Sequence, residues 1–254
     1  MGIYQKSSAN DKGIDWWKEM IGRYFLALDY PEEEIIPKGT EAIDFLEKEF
    51  GSEFVKKKIG VKLNDYSLRK DFAKFSAFKE RGCEIFADVK IFHGANTGYR
   101  IIEEIKKELP IDYVTVATQL GRKILREYVE KAQSDNIKII GFTAHTKIPA
   151  EEIIEIHNQE VESVIYTLGK IASASGCDAI VLEASMLKNE KIRELPVKKL
   201  ITGIRLNLEE RGVQARVTLL EDLEEVKEFV DYIVISSRYV HDWEKLREII
   251  CKLE

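Results

Sequence analysis

Residues 84–97 read EIFADVKIFHGANT, and the reading of this stretch decides the rest of the chain. It begins as a short β-branched and aromatic run, the pattern of a buried strand. Side chains alternate with period 2 along a strand, so Asp88 and Lys90 share one face of it. An acid and an amine in apolar surroundings are costly unless they pair or serve a polar site. The chain then enters Thr97–Glu108, where Ile101, Ile102 and Ile105 lie on one helical face together with Leu109. The unit is a strand, a polar strand end and an amphipathic helix.

The same unit recurs outward in both directions. Nearly continuous apolar runs stand at Tyr24–Asp29, Lys58–Leu63, Tyr113–Ala117, Ile137–Thr143, Asp178–Glu183, Lys199–Ile204 and Tyr232–Ser236. Such runs suit strands buried on both faces. Helical patterns lie between them at Ala42–Phe50, Arg69–Arg81, Ile124–Ala132, Val161–Ser175, Leu220–Phe229 and Trp243–Leu253, and Pro110 and Pro196 mark helix-to-strand junctions. Eight βα units in about 230 residues predict the α/β class and a (β/α)8 TIM barrel. A doubly wound open sheet is the competing architecture, and strand counting does not separate the two. No Gly- or Ser-rich linker divides the chain, so one domain is expected over residues 23–254. Residues 1–22 form an N-terminal extension, in which Trp16 and Trp17 are expected to pack a helix over the bottom of the barrel.

Composition narrows the function classes. The chain has 254 residues, of which 44% are hydrophobic and 33% charged, enough for a sizeable core. Lys and Arg number 39 against 45 Asp and Glu, a net charge of −6, which speaks against a nucleic-acid binder. No apolar run approaches the roughly 20 residues that a membrane helix needs. The first residues carry no apolar signal core, and a cytoplasmic location is expected. Cys83, Cys177 and Cys251 are odd in number and far apart, so neither a disulfide framework nor a zinc site is indicated, and all three are expected to be buried.

In a barrel, chemistry gathers at the C-terminal ends of the strands. Asp29, Lys62, Asp88, Lys90, His93, His145, Thr146, Glu183, Gly203, Arg205 and Arg238 stand at or just after those ends. Two lysines around Asp88 would leave a local positive excess for an anionic substrate, and a lysine so held can donate a proton to a developing carbanion. After the seventh and eighth strands a barrel commonly offers backbone N–H groups to a phosphate, and Arg238 could add a bidentate pair. The polar stretch Arg205–Val217 is long enough to act as a lid.

These residues carry a resemblance. LALD at 26–29, VK at 61–62 and ADVKIFHGANT at 87–97 resemble the orotidine 5′-phosphate decarboxylase family, which reads Asp, then Lys, then D-x-K-x-x-D-[IV]-x-x-T on its first three strands. TGIRLNLEERGVQARVT at 202–218 and ISSRYV at 235–240 are similar to that family's phosphate-binding strings, so the likeness runs in order over about residues 23–254.

The resemblance implies a homodimer with shared active sites, no metal and no organic cofactor. It also implies a phosphorylated nucleotide substrate, while the charge balance and the lack of a long apolar run lead to no nucleic-acid or membrane partner being expected. The reaction would convert orotidine 5′-phosphate to uridine 5′-phosphate in pyrimidine biosynthesis. Carried over residue by residue, Lys62 and Asp88 would hold the ribose and orient the lysines, and Lys90 would protonate C6. Asp29 would bond a substrate hydroxyl or ring group, Thr97 would reach the partner's ribose, and Thr146 would read the pyrimidine amide. Gly203, Gln214 and Arg238 would bind the phosphate.

The chain departs from the pattern at three places. His93 stands where the family has its second aspartate, which removes a negative charge from the lysine array. Thr202 replaces a proline, and Ser237 replaces a glycine beside the phosphate. The expected alternative is a catalytically altered paralogue that binds a nucleotide or sugar phosphate, either without turnover or with other chemistry.

Overall fold

Each of the eight sequence-predicted runs forms a strand, and the strands close on themselves. The structure is a computed structural model that describes residues 21–65, 67–69, 72–210 and 215–254. The barrel strands are β1 (Arg23–Ala27), β2 (Ile59–Asn64), β3 (Glu84–Ile91), β4 (Tyr113–Ala117), β5 (Lys138–Phe142), β6 (Ala179–Leu182), β7 (Lys198–Ile201) and β8 (Tyr232–Ile235). All neighbours are parallel, and β1 pairs with both β2 and β8, which excludes the open sheet. The expected helix of the extension, with Trp16 and Trp17, lies outside the described residues.

Two layers of apolar contact hold the cylinder. The outer layer packs the helices on the strands. The inner one fills the barrel with Phe25, Phe86, Tyr113, Ile140, Leu200 and Tyr232, among others. Phe25 sits 5.1 Å from Phe86 and 5.0 Å from Tyr113, ring centre to ring centre. Each fully buried large side chain contributes about 1.5–3 kcal/mol. Below these rings the polar side chains are tied together. Arg23 and the Tyr113 hydroxyl both meet the Glu84 carboxylate at 2.6 Å, and the Tyr232 hydroxyl donates to Asp178 at 2.9 Å. The N-terminal end of the barrel is therefore a satisfied floor, and open space remains at the C-terminal end.

Several helices differ from expectation for physical reasons. Glu32–Phe50 is one 19-residue helix that starts well before Ala42, with Pro37 inside it and Glu32, Glu33 and Glu34 at its positive end. Arg69–Arg81 is not one helix. It is broken into 3-10 turns at Ser67–Arg69 and Phe72–Phe75 followed by a short helix, Ser76–Glu80. Phe72, Phe75 and Phe78 recur every three residues, which matches the three-residue turn of a 3-10 helix. Val161–Ser175 and Trp243–Leu253 keep their expected bounds. A helix at Ala150–His157 was not expected. Cys83 and Cys177 are buried, whereas Cys251 is exposed on the last helix. Among the described residues, no helix is long and apolar enough to cross a membrane.

Candidate active site

A cavity of about 410 Å³ opens at the C-terminal ends of the strands. Its floor is the inner apolar layer, represented by Phe86, Val181, Leu200 and Val234. Above that floor four charged side chains form a chain. Lys62 Nζ lies 3.0 Å from Asp29 Oδ1 and 3.4 Å from Asp88 Oδ2, and Lys90 Nζ lies 2.8 Å from Asp88 Oδ2. The order is acid, amine, acid, amine, supplied by β1, β2 and β3. Asn64 Nδ2 donates to Asp29 at 3.0 Å, which fixes the outer carboxylate.

Plain alternation does not account for Lys90. The register between β3 and β4 shifts between Ala87 and Ile91, and Lys90 adopts a left-handed backbone with φ of 46°. This is a β-bulge that re-aims a side chain at the edge of a site. The Lys90 N–H, displaced from the ladder, donates to Thr115 Oγ1 at 2.8 Å. The same hydroxyl donates to Asp88 Oδ1 at 3.1 Å. A left-handed non-glycine residue costs about 1–2 kcal/mol and persists where surrounding contacts hold it.

Electrostatics stabilise the charged forms. Burial works against the Lys62 ammonium, but Asp88 and Asp29 outweigh it and hold its pKa above the ordinary lysine range. Burial also works against the Asp88 carboxylate. Lys62 and Lys90, with hydrogen bonds from Lys90 and Thr115, outweigh it and hold the acid below its usual range. Lys90, with about a third of its side chain exposed, remains in reach of solvent protons.

The far wall is built by the loop after β5. His145 and Thr146 both line the cavity, with Phe142 beneath them. Lys90 Nζ lies 5.7 Å above the Phe142 ring centre. On the side of β7 and β8 the cavity is bounded by Thr202, Gly203, Arg205 and Ser236. Gly203 has φ of 76°, a conformation that favours glycine. Arg205 is buried.

The loop after β7 is fastened to the loop after β5. Arg216 donates from its backbone N–H to the Thr146 carbonyl at 3.0 Å, and its Nη2 lies 3.3 Å from the Ala144 carbonyl and 3.2 Å from that of His145. Its Nε lies 3.3 Å from Glu183 Oε1. Burial pushes the Glu183 carboxyl up, and Arg216 partly opposes that shift.

Asp29, Lys62, Asp88, Lys90, Thr146 and Gly203 are thus brought around one cavity. His93, Thr97 and Arg238 are exposed and do not line it within their own chain. The His93 carbonyl accepts from the Tyr128 hydroxyl at 3.0 Å, which ties the loop after β3 to the helix Gly121–Gln133. Gln214 lies outside the described residues. Among the described residues no cluster of three or more His, Cys, Asp or Glu side chains could hold a metal ion. Thr115 was not foreseen. Period 2 along YVTVA turns it inward with Tyr113, so the fourth strand does supply a polar side chain to the site.

The chain is similar to several known proteins. The chain is 30% identical over 227 residues to orotidine 5′-phosphate decarboxylase from Fusobacterium nucleatum, covering 86% of this chain and 87% of that one. It is 31% identical over 195 residues to the protein of the same name from Staphylococcus saprophyticus, covering 74% and 81%. The crystal structure of orotidine 5′-monophosphate decarboxylase from Methanocaldococcus jannaschii, complexed with the inhibitor BMP, superposes with a TM-score of 0.66. The identity is 15%, over 91% of this chain and 99% of that one. At that identity the superposition shows the shared barrel alone. The family model described as orotidine 5′-phosphate decarboxylase / HUMPS family matches residues 22–243, and the chain belongs to that family.

Proposed function

We propose that this protein is a carboxy-lyase that converts orotidine 5′-phosphate to uridine 5′-phosphate in pyrimidine biosynthesis, with Lys90 as the proton donor to C6. The carrying observation is the continuous Asp29–Lys62–Asp88–Lys90 chain above the apolar floor of a cavity whose other side is glycine-bearing and basic.

The ribose hydroxyls meet Asp29, Lys62 and Asp88, and the base lies over Phe142 with C6 toward Lys90. The C6–carboxylate bond breaks, its electron pair stays on C6, and carbon dioxide leaves. The Lys90 ammonium stabilises that pair and then delivers a proton to C6. The resulting neutral amine regains a proton from solvent. Asp88 keeps Lys62 charged and both lysines aimed, so little reorganisation is needed as charge develops. Gly203, Arg205 and Arg238, with Gln214 on the same loop, take the phosphate. The scheme uses neither a metal nor an organic cofactor.

We also propose a homodimer in which His93 and Thr97 act on the partner's cavity. Phe92, His93 and Thr97 are all exposed, and Phe92 shows 61% of its surface. Sedimentation of the purified protein tests this, and a monomer at micromolar concentration refutes it.

The test of the reaction is a spectrophotometric assay with orotidine 5′-phosphate. Turnover that Lys90→Ala abolishes supports the reading. One observation favours a second reading. No carboxylate stands at position 93, so the array lacks the family's second acid. A binding protein, or an enzyme acting on another sugar phosphate, would bind uridine 5′-phosphate or a related phosphate without releasing carbon dioxide from orotidine 5′-phosphate.

A further inference from the structure

We infer that His145 selects a uracil-type base by donating a hydrogen bond from Nε2 to the oxygen at position 4 of the ring. The inference rests on the nucleotide reading above and adds a specificity-determining residue to it.

Three observations carry it. The first is place. His145 lines the cavity from the loop after β5, and β5 lies four strands around the barrel from β1, on the opposite side. With the ribose held by Asp29 and Lys62 on β1 and β2, the edge of the base farthest from the glycosidic bond faces β5. In a pyrimidine nucleotide that edge carries position 4.

The second is tautomer. His145 Nδ1 accepts a hydrogen bond from the Lys147 backbone N–H at 3.2 Å. A nitrogen that accepts carries no proton, so a neutral ring must hold its proton on Nε2. The imidazole packs edge-on against Phe142, with ring centres 5.6 Å apart, which limits its rotation.

The third is charge. Burial, then Lys90 and Lys147, push the imidazole below its ordinary range. Asp88 opposes this weakly, and Arg216 adds to it. These are the charged groups that face the ring from β3, from its own loop and from the loop after β7. The ring is therefore a neutral donor near pH 7. It can read a carbonyl without adding a charge beside Lys90.

A fixed donor accepts an oxygen at position 4 and rejects an amino group, which is itself a donor. The protein should therefore prefer uridine 5′-phosphate over cytidine 5′-phosphate. A site built around one hydrogen bond discriminates strongly against a ligand that leaves it unpaired.

The test is calorimetric binding of uridine 5′-phosphate, cytidine 5′-phosphate and ribose 5-phosphate to the full chain and two variants. His145→Asn keeps an acceptor near Nδ1 and loses the distal donor. His145→Gln places an amide N–H near the position of Nε2. The expected result is a 3- to 10-fold loss of uridine 5′-phosphate affinity in H145N, the size of one neutral hydrogen bond, with the preference over cytidine 5′-phosphate narrowed by the same factor. H145Q should restore most of it. Ribose 5-phosphate affinity should not change in either variant, which also shows that both are folded. An unchanged preference in H145N, or equal losses for all three ligands, overturns the inference and leaves the decarboxylase reading intact. If the unaltered protein binds ribose 5-phosphate but not uridine 5′-phosphate, the nucleotide reading itself fails.

Discussion

The Thr115 hydroxyl joins two parts of Lys90's surroundings: it accepts from the Lys90 backbone N–H at 2.8 Å and donates to the Asp88 carboxylate at 3.1 Å. One small side chain on β4 thus sets both the main chain that carries the amine and the acid that aims it.

Thr115→Val keeps the shape and removes both bonds. It strands a displaced N–H and one carboxylate lone pair, at a cost of about 1–3 kcal/mol. Urea unfolding should show that loss, and turnover should fall further than substrate affinity because the amine is mis-aimed. Thr115→Ser should recover most of both. A valine variant with the turnover of the unaltered protein would remove Thr115 from the positioning role.

The left-handed backbone at Lys90 can be measured by subtraction. Lys90→Ala and Lys90→Gly lose the same amine, but only glycine adopts a φ of 46° without penalty. K90G should therefore be the more stable of the two by about 1 kcal/mol, and both should lose turnover by about 100-fold or more. Equal urea midpoints for the two variants would show that the main chain there relaxes freely.

Asp88 gives the fold an acid-side limit. Its pKa in the folded protein lies below the value of about 3.9 that an aspartate has when unfolded. Such a group contributes stability that is complete above the unfolded value and is lost as pH falls through the folded one. The unaltered protein should exceed Asp88→Asn most in stability near pH 7, and the gap should shrink below about pH 4. Urea midpoints across that range check the sign, and a gap that grows on acidification contradicts it.

Glu183 and Arg216 should be strongly coupled. Glu183 is 1% exposed, and Arg216→Ala would leave its carboxylate buried without a partner, at a cost of about 3–5 kcal/mol. Removing both partners should cost less than the sum of the single changes. A double-mutant cycle measures the difference, and simple additivity would show that the two do not interact.

The barrel was legible because strands buried on both faces read as unbroken apolar runs. Asp29, Lys62, Asp88 and Lys90 stood out because a charge that ends or interrupts such a run is conspicuous, and they do converge. Other features left no such mark. Thr115 inside YVTVA reads as an ordinary β-former. The bulge that turns Lys90 depends on how β3 meets β4 and has no local signature. Pro37 hid the first half of its helix. The Glu183–Arg216 pair joins residues distant in the chain, so only the folded geometry reveals it. His93 and Thr97 sit on exposed surface, where one chain's fold does not say what they meet.

The acid–amine–acid–amine row balances itself, two charges against two. An arriving phosphate ester finds no surplus attraction there, so its pull comes from the cations that line the mouth, Lys147 and Arg205. An exposed charge such as that of Lys147 is screened over about 8 Å at physiological ionic strength, whereas a buried row is screened far less. Added salt should therefore weaken capture of the ligand while leaving the bond-breaking step nearly untouched, so that the Michaelis constant and the turnover number respond separately to the medium.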